Sequence, residues 1–165
     1  MSGTDNTHYL GRATALQITP AVENFVARQF FTEHPELAVQ RGFSDRILLA
    51  GMTQYTSNGS DLLVYSLKDT CTDRDVRNEL PGNHLIELWQ ITSVINQALQ
   101  DRTVALLRDD GYANLFYVHG INGDVFVVDI GRPPSCRLWQ VDAHRLDEHP
   151  RWRTGDHIFV PKDPT

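Results

Sequence analysis

Asn114-Leu115-Phe116-Tyr117-Val118-His119, the turn Asn122-Gly123, and Val125-Phe126-Val127-Val128-Asp129-Ile130 together set the architecture of this chain. Asn-Gly adopts the two positive φ angles of a tight hairpin turn, and β-branched and aromatic residues fill both arms. Successive residues of a strand point to opposite faces, and both faces of this ribbon are apolar. Each face therefore needs a cover: helices, another sheet or a second subunit. With a two-residue loop, His119 pairs with Phe126 and Asp129 falls on the opposite face from His119. A second Asn-Gly pair, Asn58-Gly59, predicts another hairpin with arms over 46–56 and 61–68.

Helical signals surround the hairpins. Thr19-Pro20 reads as an N-cap with proline in the first turn, followed by Val22, Phe25, Val26 and Phe30 on one face. A short helix is expected from Pro35 to Gly42. Thr72 with Asp75 forms a capping-box pattern ahead of a helix that stops before Pro81-Gly82. Asn83 caps a long central helix from His84 to Gln100, with Leu85, Leu88, Trp89, Thr92, Ile95 and Leu99 on one face. Residues 103–108, 137–142 and 157–160 read as strands, and 143–155 as a loop.

The expected fold is α+β: a curved antiparallel sheet with N-terminal helices and one long central helix packed against it. Residues 1–15 are expected to be a flexible N-terminus and 16–165 a single domain. This succession of elements is similar to the cone-shaped fold of the nuclear transport factor 2 and scytalone dehydratase family. That resemblance implies a cavity between sheet and helices, and dimerisation through the open sheet face. Gly111 to Asp129 also resembles the His-strand, Asn-Gly turn, Asp-strand hairpin of papain-like toxin domains. In that likeness Tyr112 stands where the catalytic His would be, and His84 where the Cys-bearing helix would open.

Composition narrows the function classes. The 165 residues are 41% apolar and 22% charged, with a net charge of −6, which argues against nucleic acid as the main partner. Residues 131–165 hold six basic and five acidic side chains, a net +1, so the preceding residues carry −7. Met1 to Thr7 is polar without a basic residue, and no apolar run nears the roughly 20 residues of a membrane span, so a cytoplasmic protein that does not engage membranes is expected. Cys71 and Cys136 are then free thiols, and no cofactor motif is present.

Cys71, His119 and Asp129 are the residue types of a thiol-protease triad, but the expected register separates the last two. His144, Asp147, Glu148, His149, Asp156 and His157 are metal-ligand types without a metal-site spacing, so no metal is expected. Asp109-Asp110-Gly111 reads as a turn. Arg132, Arg137, Trp139, Arg145, Arg151, Trp152 and Arg153 concentrate the residues that dominate interfaces, while Trp139, alternating with Val141, fits a strand core. Arg137, Arg151, Trp152 and Arg153 are the candidate contact residues.

Two functions follow. The first is a non-catalytic protein that binds a partner and self-associates as a homo-oligomer. The second binds or transforms a small molecule in a pocket between the central helix and the sheet. Tyr55, Tyr65, Trp89, Tyr117 and His119 would line that pocket, with His119 as acid–base group and Asp109 or Asp110 behind it.

Overall fold

The computed structural model describes residues 9–18, 25–48, 53–54, 61–100, 106–120, 123–148 and 151–162. Its centre is the predicted hairpin, β6 (Asn114–His119) and β7 (Val125–Gly131). Around it lie β1 (Thr14–Leu16), β3 (Leu37–Val39), β5 (Leu62–Ser66), β8 (Trp139–Arg145) and β9 (His157–Pro161). They form one seven-stranded sheet in the order β1-β5-β9-β6-β7-β8-β3. The class is α+β, but the sheet is mixed rather than antiparallel, because β9 runs parallel to β6 and β3 parallel to β8.

Alternation along the strands sorts the apolar residues onto two faces. Phe116, Val118, Phe126, Val128, Ile130, Val64 and Phe159 join one cluster with Leu88, Trp89, Ile91, Val94 and Ile95 of the helix α4 (Leu88–Gln100). Phe116 and Phe159 stack at 4.7 Å within it. Phe31 of α1 (Ala27–Glu33) and Phe43 of the three-residue α2 (Arg41–Phe43) extend the same cluster. On the other face Leu115, Tyr117, Val127, Ile158 and Val160 pack with Cys71, Trp152, and Val76 of α3 (Asp73–Glu79). Both apolar faces of the hairpin are thus covered within one chain. Among the described residues Leu138, 40% exposed, is the one large apolar side chain at the surface.

The register differs from the expected one by one residue. Gly120 N–H donates to the Asp124 carbonyl (2.7 Å) and Gly123 N–H to the Gly120 carbonyl (3.1 Å), leaving three residues between the last paired positions. Gly123 has φ +78°, a conformation glycine reaches without strain. The odd loop pairs His119 with Val125 and Leu115 with Asp129. His119 and Asp129 therefore share a face, contrary to the two-residue-loop reading, yet stand four residues apart along the ribbon, about 13 Å.

Other local expectations were displaced by long-range pairing. Leu37–Val39 is a strand against Trp139–Val141 instead of helix, and Ser44–Leu48 forms a π-helical turn where a hairpin arm was expected. Phe25–Val26 (β2) pairs with Thr53–Gln54 (β4), while β5 pairs with β1 and β9. Thr19-Pro20 and Asn58-Gly59 lie outside the described residues. Residues 106–108 are not strand. The helix expected from His84 starts at Leu88, four residues late. Ile86 N–H donates to the Tyr117 carbonyl (2.8 Å), tying the segment before the helix to β6, and the Gln90 side chain accepts from Glu87 N–H (2.8 Å) at the helix start.

The capping box at α3 forms as expected: Thr72 Oγ1 accepts from Asp75 N–H, and Asp75 Oδ2 from Thr72 N–H. Within the stretch marked as a loose terminus, Leu10 is buried, and Glu79 accepts from the N–H groups of Tyr9 and Leu10. No helix among the described residues is long and apolar enough to cross a membrane.

Candidate functional site: a charged cleft on β7 and β8

The second face of the sheet is apolar only as far as Trp152; beyond it the strands turn polar. Asp129 on β7 pairs with Asp142 on β8, and the neighbouring pair on that face is Val127 with His144. Three ionisable side chains thus project from adjacent strands onto the floor of a cleft of about 590 Å³. His144 Nε2 lies 3.8 Å from Asp142 Oδ2 and 4.0 Å from Asp129 Oδ2, which is ion-pair rather than hydrogen-bond range.

The walls come from three segments. Tyr112, just before β6, has two guanidinium groups near its ring, with Arg108 Cζ 3.9 Å and Arg153 Cζ 4.9 Å from the centroid. Arg153 also donates to the Gly111 carbonyl (2.8 Å), and Arg108 pairs with Asp110 across the expected Asp109-Asp110-Gly111 turn. Gly111 has φ +89°, and a side chain there would press on the Pro134 ring at 3.3 Å. Asp156 is buried, and accepts from Ala113 N–H (2.9 Å) and Arg153 N–H (2.7 Å), which joins the wall to the β6 entry.

Asp129 is the chemically unusual group. Burial, and then the nearby Asp156 and Asp142 carboxylates, push its pKa from 3.8 to about 7, against a smaller opposing pull from Arg153. Among the described residues no donor hydrogen-bonds to its carboxylate, and 27% of the side chain is exposed, opening on the cleft. A carboxyl group that titrates near neutrality beside an imidazole can accept or release a proton under ordinary conditions.

The sequence-derived candidates are scattered by comparison. Trp89, on α4, is in the core, while Tyr65 and Tyr117 pack on the opposite face of the sheet. His119 is exposed at the hairpin tip, with Nδ1 3.1 Å from the Gly123 carbonyl, and Tyr55 lies outside the described residues. No residue of α4 lines the cleft. Of the contact candidates, Arg137, Arg151 and Arg153 are exposed, and Arg151 and Arg153 edge the cleft. Trp152 is buried, its indole N–H donating to Asp73 Oδ1 at 2.7 Å.

The His/Asp/Glu-rich segment also disperses. Glu148 pairs with Arg46 at 2.9 Å, Asp147 N–H donates to Asp73, and His157 Nδ1 meets the Leu106 carbonyl at 2.7 Å. Among the described residues no group of three or more His, Cys, Asp or Glu is arranged to hold a metal ion.

Cys71, the triad nucleophile on paper, is buried, and its thiol is pushed up to about 12 by burial and by Asp75, Asp73, Glu79 and Asp156. A helix start favours a thiolate, but at Cys71, just before α3, desolvation and the surrounding carboxylates outweigh it. One fast-reacting thiol, Cys136, is therefore expected when the folded protein meets a disulfide reagent, and two after unfolding. Two fast thiols in the native state would contradict this placement.

The loop reading of 143–155 makes His144 only a polar loop residue, and Asp142 and Tyr112 are not among the site residues chosen from the sequence. The signal was present: Val141-Asp142-Ala143-His144 alternates apolar and polar, as a strand with one wet face does. No family model, curated protein or solved structure matches this chain. Tyr112 and Asp129, aligned with His and Asp by the hairpin likeness, both line the cleft, whereas His84 lies in a second cavity.

Proposed function

We propose that this protein acts by binding a small polar molecule in the cleft on β7 and β8, with Asp129 and His144 as its proton-exchanging pair. The observation that carries this reading is the Asp129 carboxylate. It faces the cleft beside His144, lacks a hydrogen-bond donor among the described residues, and is destabilised by two further carboxylates. A fold keeps such a group at a cost in stability, and functional sites are where that cost is commonly tolerated. A ligand hydrogen bond to Asp129 would relieve it. The same pair suffices for proton transfer to a bound substrate, so catalysis remains an extension of this reading rather than a rival to it.

Self-association was expected from the two apolar faces of the hairpin. With both faces packed inside the chain, that argument no longer favours an oligomer over a monomer.

The test is a protein-observed NMR screen of small polar compounds against the isotope-labelled wild type and the Asp129→Asn and His144→Gln variants. Compounds that perturb the amides of 111–113 and 140–144 should bind the variants at least ~10-fold more weakly, as loss of one hydrogen bond to a charged group implies. Hits that map elsewhere, or that bind all three proteins equally, would contradict the proposal.

A further inference from the structure

We infer that a second cavity, against α3, is an oxyanion site that takes a carboxylate or phosphate group on Arg77 and Arg74. The cavity is about 440 Å³ and is lined by Arg74, Arg77, Asn78, His84, Leu146 and Asp147. It is separate from the cleft on β7 and β8, and this inference does not depend on the function proposed for that cleft.

The argument rests on how Arg77 is held. His84 is 8% exposed, and its Nδ1 lies 2.9 Å from the Pro81 carbonyl, which assigns the ring proton to Nδ1. Nε2 is then an acceptor, and Arg77 Nε–H donates to it at 3.0 Å. Burial lowers the His84 pKa, which suits this neutral role. The guanidinium also lies 5.9 Å from the Tyr117 ring centroid. Its Nε edge is occupied and its orientation set, while the donors on its two terminal nitrogens remain for another group.

Among the described residues no carboxylate takes those donors. The chain carries 21 acidic against 15 basic side chains, yet neither Arg77 nor Arg74 forms an ion pair among the described residues. The two carboxylates at the cavity are engaged elsewhere. Asp73 accepts from Tyr117 Oη–H, Trp152 Nε1–H and Asp147 N–H, and Asp147 Oδ1 accepts from Arg74 N–H. A fixed guanidinium with free donors beside a second one matches the planar, two-oxygen edge of a carboxylate or phosphate. Asp73 and Asp147 nearby oppose accumulated negative charge, so a singly charged group fits better than a multiply charged one.

The experiment is an NMR titration of the isotope-labelled protein with sodium acetate and, separately, inorganic phosphate, against sodium chloride at matched ionic strength. The two arms distinguish a carboxylate from a phosphate preference. Saturable shifts at Arg74, Arg77 and Asn78, including the Arg77 Nε–H signal, are expected with at least one anion and not with chloride. Arg77→Leu should weaken them ~10-fold or more, and Arg74→Gln, at an exposed position, should weaken them without disturbing the fold. Should Arg77→Leu fail to fold, Arg77→Lys replaces it, keeping the charge and losing the fork, with a similar weakening expected. Shifts that stay linear, that chloride reproduces, or that persist in these variants would overturn the assignment.

Discussion

Asp129→Asn is expected to stabilise the protein above neutral pH and to flatten its stability profile between about pH 4 and pH 7. In the folded state the Asp129 pKa stands near 7, against 3.8 for the ordinary carboxyl group. Below pH 4 the group is protonated in both states and costs nothing. As pH rises, the unfolded chain releases its proton first, so folding stability falls until the folded pKa is passed. The full gap corresponds to about 4 kcal/mol. Because 27% of the side chain is exposed to the cleft, solvent screening reduces this to roughly 2–3 kcal/mol. Asn has nearly the same shape and no charge to desolvate. Urea denaturation at pH 3 and pH 8 reads the effect: wild type and variant should nearly coincide at the lower pH, below both pKa values, and separate at the higher. A variant less stable than wild type at pH 8 would mean that the carboxylate is compensated after all.

Asp73 is the opposite case, a buried carboxylate whose partners are complete. One oxygen accepts from Tyr117 Oη (2.9 Å) and Trp152 Nε1 (2.7 Å), the other from Asp147 N–H (2.7 Å). It joins the first residue of α3 to a central strand and to the loop that leads into β9. Asp73→Ala strands three donors in the second apolar cluster, two of them on nearly inaccessible side chains. A loss of about 3–5 kcal/mol is expected, the range for breaking a buried charged network by removing one partner. Tyr117→Phe should cost about 1–2 kcal/mol, since it removes a donor and leaves the carboxylate two others. Chemical denaturation of both variants measures this, and a loss under 1 kcal/mol for Asp73→Ala would show that the loop does not depend on that carboxylate.

What the sequence disclosed depended on how local the cause was. Asn122-Gly123 between two β-rich arms located the hairpin, and the Thr72/Asp75 pattern located α3, because turn and cap chemistry act over a few residues. Doubly apolar alternation announced that both faces of the sheet are covered. The register was missed by one residue because the same Asn-Gly pair also fits a three-residue loop with glycine last, and only pairing distinguishes the two. Leu37-Ala38-Val39 has no decisive local preference; it is a strand because Trp139–Val141 offers it a parallel partner. The insertion of β9 between β5 and β6 is likewise a long-range outcome.

The candidate site was hidden by one boundary. Ending β8 at Asp142 left His144 in a polar loop, where imidazole and carboxylates need no explanation. Carrying the strand to Arg145 sets His144 in the next pair on the same face as Asp129–Asp142. Asp129 itself had been considered only as a partner for His119. Its unusual environment comes from Asp142 on the next strand and from Asp156, 27 residues away in sequence.

The most direct test of the cleft as a functional site is an NMR titration of the Asp129 side-chain carboxyl carbon. A midpoint near pH 7 is the result expected here. A midpoint near pH 4 would make Asp129 an ordinary carboxylate, and the proposed function would lose its foundation.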